Sequence, residues 1–330
     1  MNTINKVLFI GLGGAGQRHL RVIRHALPSV NIIAYRQTSK TPLLNIDFSV
    51  NNDSTLEDKY NIIVYDDLDQ AYEQKPDLVV IATPTSLHYE HIIRASNEGA
   101  AVIVEKPGCM THNEALKARD TLMMNQTKFL ISFQRRFHPI ICNFKRILDR
   151  INRDELKQID IKVNSYVPSW HPYEDYKKLY ACKASLGGGV LLTESHEIDL
   201  IVWLFGTPNS IKSKISSRKT LKLDVEDSVD IFFQYDSFQV NIELDFMSDN
   251  QQRDIYFKTQ NDNFYLDMDS GRYKHTTSNQ VIIEELFFSN KNMFSDQFNY
   301  FINCDNSDLG YIDSLCANLA LIDQCKKLSN

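Results

Sequence analysis

The chain has 330 residues, 43% of them hydrophobic and 24% charged, with a formal net charge of −6. That length can bury more than one core, and the acidic balance excludes the basic footprint of a nucleic-acid or anionic-membrane binder. No apolar run reaches the length of a membrane span, and the start, Met1-Asn2-Thr3-Ile4-Asn5-Lys6, lacks a signal peptide's apolar stretch, so a cytoplasmic protein is expected.

Lys6 to Ile10 reads as a buried strand, and Gly11-Leu12-Gly13-Gly14-Ala15-Gly16 follows at once. Gln17 to Leu27 then reads as a helix, with Leu20, Ile23, Arg24 and Leu27 at helical spacing. In this strand–turn–helix setting the Gly-x-Gly-x-x-Gly match points to a dinucleotide. Gly11 permits the tight turn, Gly13 lets backbone approach a pyrophosphate, and Gly16 lets helix and strand pack closely. The diphosphate is expected at the N-terminus of the helix that follows, where free N–H groups and the helix dipole favour an anion. The second strand, Asn31 to Tyr35, ends at Arg36-Gln37-Thr38-Ser39-Lys40. NAD sites usually place an acid there for the ribose 2′-hydroxyl. A guanidinium with hydroxyls and an ammonium behind it suits a 2′-phosphate, so NADP is expected over NAD.

Residues 41 to 61 are polar and irregular and read as a loop. Ile62–Tyr65 and Asp77–Ala82 read as strands, with a helix from Asp66 to Gln74 between them. Thr83-Pro84-Thr85-Ser86 closes the second of these strands, and a helix from Leu87 to Glu98 stops at Gly99. Strand Ala101–Val104 delivers Glu105-Lys106-Pro107. Charged residues at the carboxyl end of a parallel strand stand where open α/β sheets bind ligands, and Pro107 restricts Lys106 to extended conformations. A helix from His112 to Asn125 and a strand from Phe129 to Phe133 complete a doubly wound parallel sheet.

Three segments taken together, Gly11 to His19, Ala82-Thr83-Pro84-Thr85-Ser86-Leu87-His88 and Glu105-Lys106-Pro107, resemble the Gfo/Idh/MocA oxidoreductase family. Gln134-Arg135-Arg136-Phe137-His138-Pro139 is similar to that family's Arg-Phe-x-Pro join between domains. The resemblance implies a Rossmann-type dinucleotide-binding domain over residues 1–133. It implies a substrate-binding and oligomerisation α+β domain over 134–330, with a large, mostly antiparallel open sheet. The expected cofactor contacts are Gly11, Gly13, Gly14, Ala15, Gly16, Arg36, Thr83, Pro84, His88, Glu105 and Lys106.

After the join, Ile140, Phe144, Ile147 and Leu148 space a helix whose apolar face is core. From Lys157 the period shifts to strands, with Ile159, Ile161 and Val163 alternating with polar residues. Val229–Tyr235 and Gln239–Leu244 flank Asp236-Ser237 as a hairpin, Asp254–Gln260 and Phe264–Met268 form another, and Gln280–Phe288 adds a strand. Such a sheet leaves one face free, and the family resemblance implies homodimer or homotetramer contacts through it. Asp296–Asn303 and Asp308–Leu328 read as terminal helices, the last of which is expected to pack back on the first domain. Six cysteines, at 109, 142, 182, 304, 316 and 325, include no Cys-x-x-Cys pair and predict reduced thiols with no metal site.

The chemistry is expected around Gly187-Gly188-Gly189 and the helix after it, which runs to about Phe205. Thr193, His196 and Leu200 share one face of a continuous helix, and Asp199 is close enough to brace the His196 ring. The family carries its catalytic histidine here, with an Asp usually three or four residues earlier; this chain has Thr193 and Leu192 instead. Glu194 is adjacent but turned by about 100° around a helix, so it does not simply replace that carboxylate. His196 is the expected general acid/base and Lys106 the stabiliser of a developing oxyanion, with Thr193 and Asp199 as further catalytic candidates. Arg136, His138, Trp170, His171 and Tyr176 are candidate contacts to a small-molecule sugar or nucleotide-sugar. A similar Trp-His-Pro segment in members tied to bacterial surface-sugar biosynthesis points the same way. The expectation is an NAD(P)-dependent dehydrogenase or reductase acting on CH–OH groups. The alternatives are a non-catalytic NADP-binding sensor or regulatory protein, and a glycosidase of the same family that oxidises its sugar transiently.

Overall fold

The computed structural model describes residues 4–37, 41–171, 173–217, 221–286, 290–304 and 310–328. Six strands, β1 (Lys6–Ile10), β2 (Asn31–Tyr35), β3 (Ile62–Tyr65), β4 (Leu78–Ile81), β5 (Ala101–Val104) and β6 (Phe129–Ile131), form a sheet in the order β3-β2-β1-β4-β5-β6. All pairs in it are parallel. The strands β1, β4 and β5 are buried almost throughout, as a sheet covered on both faces requires. The covering helices are α1 (Gly14–Ala26), α2 (Leu56–Tyr60), α3 (Leu68–Glu73), α4 (His88–Asn97) and α5 (His112–Met124). The strand order reverses between β1 and β4, so the carboxyl ends of β1, β4 and β5 open on the crevice where such sheets bind ligands.

α6 (Pro139–Leu148) leads to eight further strands: β7 (Leu156–Asn164), β8 (Ser210–Ser216), β9 (Ser228–Gln234), β10 (Gln239–Asp245), β11 (Gln252–Thr259), β12 (Asn263–Asp267), β13 (Arg272–Thr276) and β14 (Val281–Glu285). They form one open sheet in the order β14-β13-β12-β11-β7-β10-β9-β8. β7 and β10 run parallel; the other neighbours are antiparallel. β8 and β13 are strands that the apolar pattern did not announce: Ser-Ile-Lys-Ser-Lys-Ile-Ser and Arg-Tyr-Lys-His-Thr carry too few apolar residues. Two segments that read as loop or single helix also differ. Residues 41 to 61 contain an isolated bridge between Leu44 and Val50 and the short helix α2, capped by the Thr55 side chain on Asp58 N. The helix after the glycine triplet is broken into α7 (Val190–Thr193) and α8 (Ser195–Phe205), with Glu194 at φ −98°, ψ 33° between them.

Two terminal helices, α9 (Asn290–Asn303) and α10 (Gly310–Leu328), join the layers. α9 lies along α1, where Phe294 meets the His19 ring edge-on at 5.0 Å. α10 packs on α5 and β6. Asp323 Oδ2 accepts from His112 N at 3.0 Å, and Asn318 Nδ2 donates to Ser195 O at 3.3 Å. One helix thus touches the N-termini of both α5 and α8, which fixes the two sides of the crevice relative to each other. Among the described residues no helix is long and apolar enough to cross a membrane.

Candidate active site

The turn after β1 is built for close approach. Gly11 has φ +96°, and a methyl there would stand 2.5 Å from Ala82 O. Beside Gly13 there is open space to at least 4 Å, and Gly13, which caps α1, makes no side-chain cap bond. The first N–H groups of α1 therefore face an uncovered backbone surface, the arrangement that receives a diphosphate. The hydroxyl of Thr83, on the β4–α4 loop, is buried without a hydrogen-bond partner, as is that of Thr85. His88 serves this loop indirectly: its Nε2–H donates to Thr83 O at 2.9 Å, and burial pulls its pKa down to about 4. An open glycine seat and unpaired hydroxyls at one end of the sheet fit a dinucleotide.

Two of the expected cofactor residues are already engaged. Glu105 accepts from His19 Nε2 at 2.8 Å. Burial alone would raise its carboxyl, but the His19 bond, with Lys106 and Arg18 nearby, outweighs that and holds it below the usual range. Arg36 is 8% exposed; its guanidinium donates to Glu57 Oε1 at 2.7 Å and to Thr41 O at 2.9 Å. Thr38, Ser39 and Lys40, read with Arg36 as a 2′-phosphate site, lie outside the described residues.

Lys106 follows β5 through a cis bond to Pro107 and reaches across the crevice, where its Nζ donates to Thr193 O at 2.5 Å. The break at Glu194 gives Lys106 that carbonyl. The Thr193 hydroxyl is buried and unpaired. His196, 4% exposed, stands edge-on to Phe133 at 5.9 Å, and its Nδ1 has no hydrogen-bond partner. Burial, and then the cations Arg135, Lys106 and Arg253, push its pKa well below the ordinary histidine value, so the ring is neutral near pH 7.

Asp199 does not brace that ring. Its two oxygens take Arg136 Nε at 2.9 Å and Nη2 at 2.6 Å, a bidentate pair that consumes the carboxylate. The same pair removes Arg136 from the candidate substrate contacts: it also donates to Ser314 Oγ at 2.7 Å and lies over Phe133, Trp203 and Tyr311. His138 is fully buried and caps α6, with Nδ1 accepting from Ile140 N and Nε2 donating to Met268 O, so it is a structural residue too. Trp170 points inward, its Nε1 donating to Ser165 Oγ at 2.9 Å and its ring edge-on to Phe246. Tyr176 packs against the core. His171 is half-buried, donates from Nδ1 to Glu174 at 2.8 Å and stacks on Tyr173.

Spacing did not reveal a buried ion network beside His196. Arg253, on β11, donates to Glu194 Oε2 at 2.9 Å and also to Glu197. Arg135 approaches Glu197 Oε1 only to 4.0 Å; its Nε is buried without a hydrogen bond, and burial lowers its pKa to about 10. The Glu194 carboxyl, which burial would raise, is held low by Arg253, Lys106 and Arg135. Glu194 therefore supplies negative charge near Lys106, but through an arginine-bound carboxylate and not through a residue on the His196 face. Glu194 lies next to an expected catalytic position, a weak signal; Arg253 sits in an ordinary strand pattern and gives none.

Comparison with known proteins shows the family. A model described as an oxidoreductase family with an NAD-binding Rossmann fold matches residues 5–133, and one for the GFO/IDH/MocA C-terminal domain matches 154–265. An uncharacterised oxidoreductase of Schizosaccharomyces pombe is 29% identical over 178 residues, 53% of this chain and 47% of the relative. The D-glucoside 3-dehydrogenase of Escherichia coli is 25% identical over 205 residues, covering 60% and 55%. The chain thus spans about half the length of these curated relatives. Levoglucosan dehydrogenase, solved with NADH, superposes with a TM-score of 0.80 at 14% identity over 98% of this chain and 96% of that one, which establishes the shared fold. A dinucleotide seat facing a lysine–histidine crevice, on a chain matched by both halves of one family, makes this protein a member of the Gfo/Idh/MocA oxidoreductases.

Proposed function

We propose that the protein is an NAD(P)-dependent dehydrogenase or reductase that moves a hydride between nicotinamide and a sugar or nucleotide-sugar carbon bearing a hydroxyl or carbonyl. The observation that carries the reading is the meeting of Lys106 and Thr193 beside the buried His196 at the open end of the parallel sheet. The dinucleotide, when bound, supplies the hydride acceptor or donor. In the oxidative direction His196 takes the hydroxyl proton as the hydride leaves the same carbon, and in reduction it returns that proton. Lys106 places its ammonium against the substrate oxygen and stabilises the charge that develops there. The Thr193 carbonyl aims that ammonium, and the unpaired Thr193 hydroxyl is free to bind a substrate hydroxyl. The half-buried His171 loop supports a sugar ring as the partner, and surface-glycan intermediates are the favoured class. The uncovered outer face of the eight-stranded sheet, with Tyr256 38% exposed, supports a homodimer or homotetramer.

The NADP preference rests on Arg36. To reach a 2′-phosphate its guanidinium must exchange the Glu57 carboxylate for the phosphate, and Glu57 is exposed enough to swing into water. Arg36→Ala should weaken NADP binding about tenfold more than NAD binding; equal losses would refute the preference. A cofactor-binding sensor without turnover is the second reading, favoured by a threonine where a carboxylate is expected. Incubation with NADP or NAD and a panel of sugars and nucleotide-sugars separates the readings. Released reduced cofactor supports the dehydrogenase, product without released cofactor supports a redox glycosidase, and saturable binding with no product supports the sensor.

A further inference from the structure

The loop of residues 41–50 is fastened to α1 at Pro42 and Leu44. The Gln17 side chain donates to Pro42 O at 2.8 Å and accepts from Leu44 N at 2.9 Å, while Arg21 donates to Leu44 O at 3.2 Å. At its turn Phe48 adopts φ +65°, a conformation that a bulky L-residue takes only under constraint from its surroundings. The constraint delivers the ring onto the first residue of α1: a methyl on Gly14 would stand 2.7 Å from Phe48 Cε1. The Arg18 guanidinium lies 4.3 Å from the centre of the same ring. Among the described residues Arg18 makes no hydrogen bond and no ion pair, although it is partly buried. From the other layer of the molecule, the His171 ring approaches Phe48 to 5.7 Å and is itself held by Glu174 and the stacked Tyr173. One aromatic side chain therefore spans the mouth of the diphosphate seat and ties the irregular loop to the segment expected to face the sugar.

We propose that Phe48 is a cofactor-retaining residue: with Arg18 beneath it and His171 beside it, it closes the flank of the α1 N-terminus over the dinucleotide's diphosphate and governs how fast the dinucleotide leaves. The ring excludes water from that seat, and it stacks on a guanidinium whose donors remain free for an anion. Opening requires loss of the Phe48–Arg18 and Phe48–His171 contacts together, so the effect falls on dissociation more than on association. The proposal rests on the dinucleotide reading and not on the identity of the sugar.

The test is stopped-flow release of NADPH and of NADH, followed by nucleotide fluorescence, in the full-length protein. Phe48→Ala should release bound dinucleotide on the order of tenfold faster, Phe48→Tyr should stay near the parent rate, and His171→Ala, altered in the other layer, should be accelerated severalfold. Thermal midpoints identify any variant that fails to fold; if Phe48→Ala does, His171→Ala carries the test. Unchanged release in a folded Phe48→Ala or His171→Ala protein overturns the proposal. Absence of any dinucleotide binding by the parent protein overturns the underlying reading as well, and so distinguishes the two failures.

Discussion

The two ends of the crevice are made of different material. The nucleotide end is largely main chain: a glycine turn with an open face at Gly13 and a helix N-terminus flanked by Phe48 at Gly14. The end proposed for catalysis is made of side chains, with Lys106, Arg135, Glu194, His196, Glu197 and Arg253 contributed by segments far apart in the chain. A main-chain site needs particular residues at fixed spacing and is visible in one short stretch. A side-chain site needs only that several charges meet after folding, and any one of them looks ordinary where it stands.

The largest expected effect tests whether the catalytic end can be damaged alone. Lys106→Ala should lower kcat by about a thousandfold, because among the described residues no other ammonium bonds the Thr193 carbonyl, while the dissociation constant for the dinucleotide changes little. Steady-state kinetics and fluorescence titration measure the two, and a parallel loss of both would erase the separation between the ends.

Next in size is the buried network. Arg253→Met leaves Glu194 and Glu197 without their shared guanidinium and should cost about 3 kcal/mol of folding stability. Denaturant unfolding reads it directly. An unchanged midpoint would mean that Arg135 takes over both carboxylates.

The smallest effect concerns proton transfer. The proposed alcohol oxidation needs neutral His196, and burial with surrounding cations lowers its pKa, so kcat/KM should fall with acid only well below pH 6.5. Arg135→Gln removes one of those cations, which raises the histidine pKa and moves the acid limb up towards 6.5. A pH–rate profile checks the direction, and a limb that stays in place or moves down would remove Arg135 from the proton-transfer environment.

Misread residues follow the same division. Arg36 stands at the end of β2 as the sequence implies, but sequence alone does not show that Glu57, twenty-one positions on, pairs with it. Asp199 was close to His196 along the helix, yet the buried Arg136 attracts it more strongly, since a bidentate ion pair satisfies both partners in a dry interior. Thr193, a catalytic candidate by its sequence place, stands where the family usually has an Asp. The break at Glu194, invisible to helical periodicity, turned its backbone carbonyl into the lysine's acceptor.

By itself the sequence determined the parallel sheet, the glycine turn and the place of Lys106 at the end of β5. Each of these depends on local backbone rules: apolar period, glycine spacing, and charge at the end of a strand, whereas His196 stands out only through the family resemblance. Only the tertiary structure decided which charges pair. Buried ions bond to whatever opposite charge the fold brings within reach, and at Glu57, Arg136 and Arg253 that partner was distant in sequence.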